Sequence, residues 1–156
     1  EPLIRLEISR QDKDLSLLAY FSPYQGKMIK ADMTVQIMPS TVRSEEFGFA
    51  LGRVEHVSRF PASRQSMLHN LGNKALVDSL AEGGAPIRVK AEMLRDAQTI
   101  SGYKWSSGEG PPLKLQAGTL CAVRVETRSD PPLALVLPKL KSLLLGSGTS
   151  ANKASR

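Results

Sequence analysis

The stretch Phe47–Ser63, FGFALGRVEHVSRFPAS, decides how the rest of the chain is interpreted. Large and small residues alternate at its start, which is the period of a β-strand with one face in a core. The large face of that predicted strand holds Phe47, Phe49 and Leu51. Val57 then falls out of phase, and a slip of one residue predicts a β-bulge that bends a sheet toward closure. Pro61 ends the predicted strand and Ser63 is a typical helix N-cap, so a small barrel with a helix against one end is indicated.

Alternating patterns elsewhere predict the remaining strands, at Leu3–Ile8, Leu15–Phe21, Met33–Met38, Ile87–Met93, Leu113–Leu115, Thr119–Thr127 and Leu133–Leu137. Ser63–Leu80 has the helical period instead, broken at Gly72-Asn73, and predicts two short helices or one broken helix. Gln25-Gly26-Lys27 is a turn signal, and Asp96–Pro112 is the longest irregular stretch. The expected fold is all-β with α decoration, a small closed barrel of about six to seven strands with a helical insertion at about residues 63–80. We expect the domain to cover residues 1–145 and Gly146–Arg156 to form a disordered tail.

Length and net charge do not strongly favour any one functional class. The 156 residues allow one domain, and 21 Lys and Arg against 15 Asp and Glu give a formal net charge of +6. The positive residues are scattered, so they favour an acidic partner or a membrane surface only slightly. The chain begins with Glu1, and we expect it to be a piece of a longer protein. It contains no apolar run of the roughly 18 residues that a membrane-spanning helix needs.

The sequence shows little that resembles a catalytic or metal site. His56 and His69 have no histidine or cysteine at ligand spacing, and Cys121 is the single cysteine. Glu45-Glu46 is an adjacent carboxylate pair, but neighbouring side chains of an extended segment point apart. We therefore predict no enzymatic activity, no metal and no cofactor.

Two binding functions are alternatives. A nucleic-acid-binding barrel, similar to an oligonucleotide-binding fold, would place aromatic platforms among lysines and arginines, and Tyr103-Lys104-Trp105 is the one candidate. The other interpretation of this cluster is a loop plug, in which Trp105 covers the barrel end. A carbohydrate-binding or hydrolase accessory barrel would require an exposed aromatic strip, which the sequence does not show.

Several segments together resemble a known family. They are GKMIKADMTVQIMPSTVRSEEFGFALGRVEHVSRFPAS, LGNKALVDSL, SGYKWSSGEGPPLKLQAGTLCAVRVETR and PPLALVLPKLKSLLLG. They are similar to the β-barrel part of HlyD-type membrane fusion proteins, or periplasmic adaptors, of the branch called NHLP (or NHLM) bacteriocin system secretion proteins. The resemblance covers roughly residues 12–146 and departs at Ala31-Asp32, where the family usually carries a Pro-Gly-like turn.

This resemblance implies a non-catalytic structural role. Such adaptors are anchored in the inner membrane by an N-terminal helix, stand in the periplasm and oligomerise with other adaptor protomers. They link an ABC transporter, here one with a peptidase domain, to an outer-membrane channel, and the exported cargo would be a bacteriocin-type peptide. The resemblance implies no catalytic, cofactor-binding or metal-binding residues and no nucleic-acid partner.

Three segments are predicted to contact partners, because a closed barrel leaves loops and helical faces for this purpose. They are the loop Ile100–Pro112, the helical segment Ser63–Leu80 and the segment Lys139–Leu145, and intramolecular packing is the alternative for each. The candidate contact residues are Tyr103, Lys104, Trp105, Met67, Leu71, Lys139, Lys141 and Leu144. We expect the isolated chain to be a soluble monomer in dilute solution, because a fragment loses the avidity of the whole assembly.

Overall fold

The computed structural model describes the backbone of residues 3–8 and the backbone and side chains of residues 14–126. In chain order the elements are β1 (Leu3–Ile8), β2 (Leu15–Phe21), α1 (Pro23–Met28), β3 (Thr34–Pro39), α2 (Ser44–Phe47), β4 (Ala50–Pro61), α3 (Arg64–Leu71), α4 (Lys74–Ala81), β5 (Ile87–Met93) and β6 (Leu120–Val125). The predicted strand Leu133–Leu137, the domain end at residue 145 and the predicted tail lie outside the described residues.

Five antiparallel strands form a curled sheet in the order β2–β5–β4–β3–β6. Strand β1 pairs with both outer strands of this sheet, with Ile8 opposite Leu15 of β2 and Ile4 opposite Cys121 of β6. The mostly β architecture with a few helices confirms the coarse prediction of an all-β fold with α decoration.

The concave side of the curled sheet carries the main apolar core. The side chains of Leu17 and Ile37 are completely buried there. The strands alternate as their sequences predict, since Ile87, Val89, Ala91 and Met93 of β5 are buried while Arg88 and Lys90 are half-buried on the other face. The larger cluster also includes Leu15, Ala19, Phe21, Val35, Trp105, Cys121 and Val123.

Strand β4 buries the face opposite to the one predicted. Its inward residues are Ala50, Gly52 and Val54, whereas Phe49 and Leu51 are only half-buried and Phe47 belongs to α2. The interior is crowded at this strand, because a Cβ on Gly52 would lie 2.7 Å from the carbonyl oxygen of Glu92 and 3.1 Å from Cδ1 of Ile37. Small residues on β4 therefore leave room for large side chains from facing strands, and the prediction based on the larger residues was wrong.

The predicted bend in β4 is confirmed. The pairing of β4 with β5 shifts register between Val54 and His56 and again between Val57 and Pro61. The strand ends at Pro61, as expected for a residue that has no N–H to donate. Ser63 then caps α3, since its Oγ accepts a hydrogen bond of 3.2 Å from the backbone N–H of Ser66.

The helical insertion consists of two short helices, which is one of the two predicted alternatives. Gly72 ends α3 in a left-handed conformation with φ of 62°, and Asn73 caps α4 by accepting from the N–H of Leu76 at 3.1 Å. The two helices pack on the outer face of the sheet in a second cluster of buried residues around Tyr20 of β2.

Shorter elements differ from the predictions in detail. The predicted turn at Gln25-Gly26-Lys27 lies within α1, which Ser22 caps by accepting from the N–H of Gln25. Leu113–Leu115 is not a strand, although Leu115 is at the edge of burial in the core. Asp32 adopts φ of 68°, so an aspartate forms the left-handed turn at the place where the family resemblance departs.

Candidate interaction site

The predicted contact loop is more regular than its sequence indicates. Residues 94–96 and 102–104 form a small hairpin, with hydrogen bonds of 2.8 Å from the N–H of Lys104 to the carbonyl of Leu94 and 3.0 Å from the N–H of Asp96 to the carbonyl of Gly102. Its second arm also bonds to the start of β4, where the N–H of Leu51 donates to Lys104 at 2.8 Å. The hairpin is thus an extension of the sheet beside β4 and β5.

Trp105 lies inside the core and presents almost no surface to a partner. Its side chain is 2% exposed, and its Nε1–H donates to Oγ of Ser101 at 2.8 Å. Gly110 lies directly on the indole, because a Cβ there would be 2.3 Å from Cδ1 of Trp105. The structure therefore places Trp105 as the plug that sequence analysis offered as the alternative, and not as an exposed contact residue.

The two neighbours of Trp105 have different surroundings. Tyr103 is half-buried, and its hydroxyl accepts a hydrogen bond of 3.1 Å from the backbone N–H of Leu15. Lys104 is exposed. The hairpin tip also exposes Ile100, at 64%. The surface that this loop offers to a partner includes Lys104, Ile100 and the exposed residues 106–109, whereas the Trp105 ring serves the fold.

The helical candidates are also turned inward. Met67 and Leu71 of α3 are buried with Tyr20, and Asn70 of the same helix donates from Nδ2 to the Tyr20 hydroxyl at 3.1 Å. The outer side of the two helices carries charge instead, with Asp78 bonded to Arg64 at 2.6 Å and to Lys74 at 3.3 Å. As the chain is folded, Met67 and Leu71 have no surface for a partner, because α3 needs them to pack on the sheet.

The third predicted segment is Lys139–Leu145. Lys139, Lys141 and Leu144 lie outside the described residues, so their role as contact residues stays a prediction.

Sequence reasoning missed a basic pocket between α3 and the outer face of the sheet. This open cavity has a volume of about 290 Å³ and is lined by Ser16, Leu18, His56, Asn70, Arg88 and Lys90. Lys90 pairs with Glu55 at 2.8 Å, whereas the ion pairs among residues 14–126 include none with Arg88. The alternation of β5 shows that Arg88 and Lys90 share an outer face, but only the tertiary structure shows that a helix forms a wall beside them.

The histidines and the cysteine of the described residues do not form a metal-binding group. Within residues 14–126, no three His, Cys, Asp or Glu side chains gather closely enough to hold a metal ion. His56 and His69 are both exposed, on β4 and α3. Burial raises the pKa of the Cys121 thiol to about 12, which keeps it protonated and unreactive at neutral pH. Among the described helices, none has the length and hydropathy that crossing a membrane requires.

Comparison with known proteins adds no assignment. No family model, no curated protein and no solved structure matches the chain.

Proposed function

We propose that this chain is a non-catalytic structural domain of a membrane fusion, or periplasmic adaptor, protein. In the whole protein it would stand on the periplasmic side of the inner membrane, among other adaptor protomers. There it would help to link a peptidase-containing ABC transporter to an outer-membrane channel for the export of a bacteriocin-type peptide. The proposal assigns it no catalytic residue and no cofactor.

One observation carries this proposal. The motifs behind the family resemblance coincide with the bends of β4 and with the residues that pack Trp105 into the core. V-x-x-V-S-x-F-P spans the part of β4 from Val54 to Pro61, where both register shifts occur. SGYKWSSGEGPP contains the hydrogen bond between Ser101 and Trp105, the glycine packed on the indole, and the buried Pro111. A motif whose residues build bends and a core plug fits a structural module better than an active site.

We further propose that the sheet is a closed barrel. The pairing of β1 with β2 and with β6 supports closure, because those are the two outer strands of the five-stranded sheet. Closure removes the unpaired edges that promote aggregation, and it would leave loops and helices to contact other adaptor protomers.

The burial of Trp105 bears on the nucleic-acid-binding alternative. Single-stranded nucleic acid stacks on exposed aromatic rings, and Tyr103 and Trp105 were the candidates for that role. The Trp105 ring is buried and the Tyr103 hydroxyl is bound to β2, so the basic outer face lacks aromatic platforms from this loop.

Peptide export in the native host tests the proposal. Deletion of the gene should abolish secretion of the bacteriocin-type peptide while its synthesis continues, and the full-length gene should restore secretion. A full-length variant without the segment corresponding to residues 14–126 should fail to restore export. Normal export from the deletion strain would refute the proposal. A salt-dependent mobility shift of single-stranded DNA with this chain would instead favour the nucleic-acid alternative.

A further inference from the structure

Three large apolar side chains are exposed at one end of the sheet. On α1, Tyr24 is 77% exposed and Met28 is 49% exposed, and their spacing of four residues places both on one side of the helix. Near the end of β4, Phe60 is 76% exposed. Large side chains exposed singly are ordinary, whereas several at one end of a sheet are typical of a surface that binds a partner or a membrane.

These residues belong to the same end because α1 and the end of β4 both adjoin the first residue of β5. The Cβ position of Gly26, in the middle of α1, would lie 2.5 Å from Cβ of Ile87. Ile87 is also the β5 residue opposite Pro61, which follows Phe60. We call the surface formed by α1, the following turn to residue 32, and residues 59–61 the α1 end.

The α1 end also carries unpaired positive charge. Lys27, Lys30 and Arg59 are exposed, and none of them has an ion pair among the described residues. Asp32, in the turn after α1, is the acidic side chain of this surface. Each exposed apolar residue therefore has a basic residue next to it or within three positions.

We propose that the α1 end binds the surface of an anionic lipid bilayer. Tyrosine and phenylalanine rings are favourably placed at the boundary between lipid headgroups and acyl chains. Flanking lysines and arginines interact with anionic headgroups. This inference goes beyond the proposed export role and does not rest on it, since a barrel can serve as a spacer without touching lipid.

A bilayer fits this surface better than a protein does. A stable protein interface buries about 800 Å² on each partner and uses 20 to 30 residues a side. Three apolar side chains separated by basic residues are a small and uneven surface for such an interface. A lipid surface imposes no shape complementarity, and scattered anchors with adjacent positive charges are enough for reversible binding.

Vesicle flotation with the full chain tests the proposal. The probes are vesicles of phosphatidylcholine alone and vesicles in which about one third of the lipid is phosphatidylglycerol, at about 0.1 M salt. Binding should occur to the anionic vesicles and weaken as salt is added. The double variant Lys27→Gln/Lys30→Gln should bind about 25-fold more weakly, because each basic residue contributes about a fivefold factor near an anionic surface.

The apolar anchors have a matched control. Tyr24→Ser/Phe60→Ser should lower binding about tenfold or more without loss of folding, because both side chains are already exposed. Ile100→Ser changes an exposed apolar residue in the hairpin that follows the other end of β5, and it should bind like the unchanged chain.

Three results would overturn the proposal. One is no flotation of the folded chain with anionic vesicles, and another is equal loss in the Ile100→Ser control. The third is a contact of Tyr24 or Phe60 with residues 127–156 or with a second copy in nuclear Overhauser spectra of the lipid-free protein. Such a contact would show that the chain itself covers the α1 end.

Discussion

Replacing Gly52 by alanine tests which face of β4 is buried. Gly52 lies on the inward face, and an added methyl group would meet the carbonyl oxygen of Glu92 at 2.7 Å. That oxygen belongs to the backbone of β5, which is held in place by pairing with both β2 and β4. The neighbour therefore cannot rotate away as a flexible side chain would, and one of the strands has to shift.

The expected cost follows from two opposing terms. Overpacking a core costs about 1–3 kcal/mol, and contact with backbone favours the upper part of that range. Replacing glycine by alanine also lowers the conformational entropy of the unfolded chain, which raises the free energy of unfolding by about 0.4–1 kcal/mol. We expect a net loss of about 2 kcal/mol in the free energy of unfolding, or a decrease of about 4–8 °C in Tm for a chain of this size.

Gly83→Ala is the matched control, because an alanine Cβ at that position would have no heavy atom within 4 Å. Its free energy of unfolding should be unchanged or raised by up to about 1 kcal/mol. Urea unfolding followed by circular dichroism measures both variants against the unchanged chain. If Gly52→Ala and Gly83→Ala are equally stable within about 0.5 kcal/mol, the inward assignment of Ala50, Gly52 and Val54 is refuted.

Three further changes probe the plug, a helix cap and the buried thiol. Trp105→Phe removes the donor to Ser101 and leaves a buried hydroxyl with one partner fewer, so urea unfolding should show a loss of about 1–3 kcal/mol; an unchanged midpoint would contradict the role of that bond. Ser63→Ala removes the acceptor for the N–H of Ser66 and should cost about 1 kcal/mol, whereas Ser63→Asn should retain most of the stability. The thiol of Cys121 has a pKa of about 12 in the folded protein, because it is buried, and of about 9 in the unfolded chain. As the pH rises, the unfolded state therefore loses this proton first. The free energy of unfolding should therefore be unaffected by this thiol below about pH 9 and fall above it, by up to about 1.4 kcal/mol per pH unit. Cys121→Ala should lack this component of the pH dependence, and an identical slope in both proteins would contradict it.

Local patterns predicted the elements whose signals are local. Strand β2 has the predicted bounds, and so does β5, because side chains alternate along a whole strand regardless of its neighbours. Gly72 and Asn73 marked the break between α3 and α4 for the same reason, since a left-handed C-cap and an N-cap act within one turn.

The predictions failed where the outcome depends on distant residues. The orientation of β4 is decided by how closely Glu92 and Ile37 approach Gly52, and a sequence window around Phe49 contains neither of them. The hairpin before Trp105 depends on bonds of Leu94 and Lys104 to Leu51, which lies far away in the chain, so its segment had the composition of a loop.

The burial of the candidate contact residues was hidden from the sequence for the same reason, and their role as contacts in an assembly stays a prediction. Met67 and Trp105 were selected as large residues on a helix and a loop, yet both complete the core. Tyr24 and Phe60, which are exposed, gave no sequence signal, because an exposed aromatic residue and a buried one are indistinguishable until the neighbouring elements are placed.

The position of β1 has a consequence for how the chain folds during synthesis. This first strand pairs with β6 as well as with β2, and Leu3 lies opposite Ala122. The ribosome completes β6 long after β1, so one edge of β1 has no native partner until nearly all the described chain has been made. Pairings between such distant segments slow folding, and an unsatisfied strand edge promotes aggregation during that interval. We expect nascent chains that end before β6 to depend on chaperones, and refolding of the finished chain to be slow for its size.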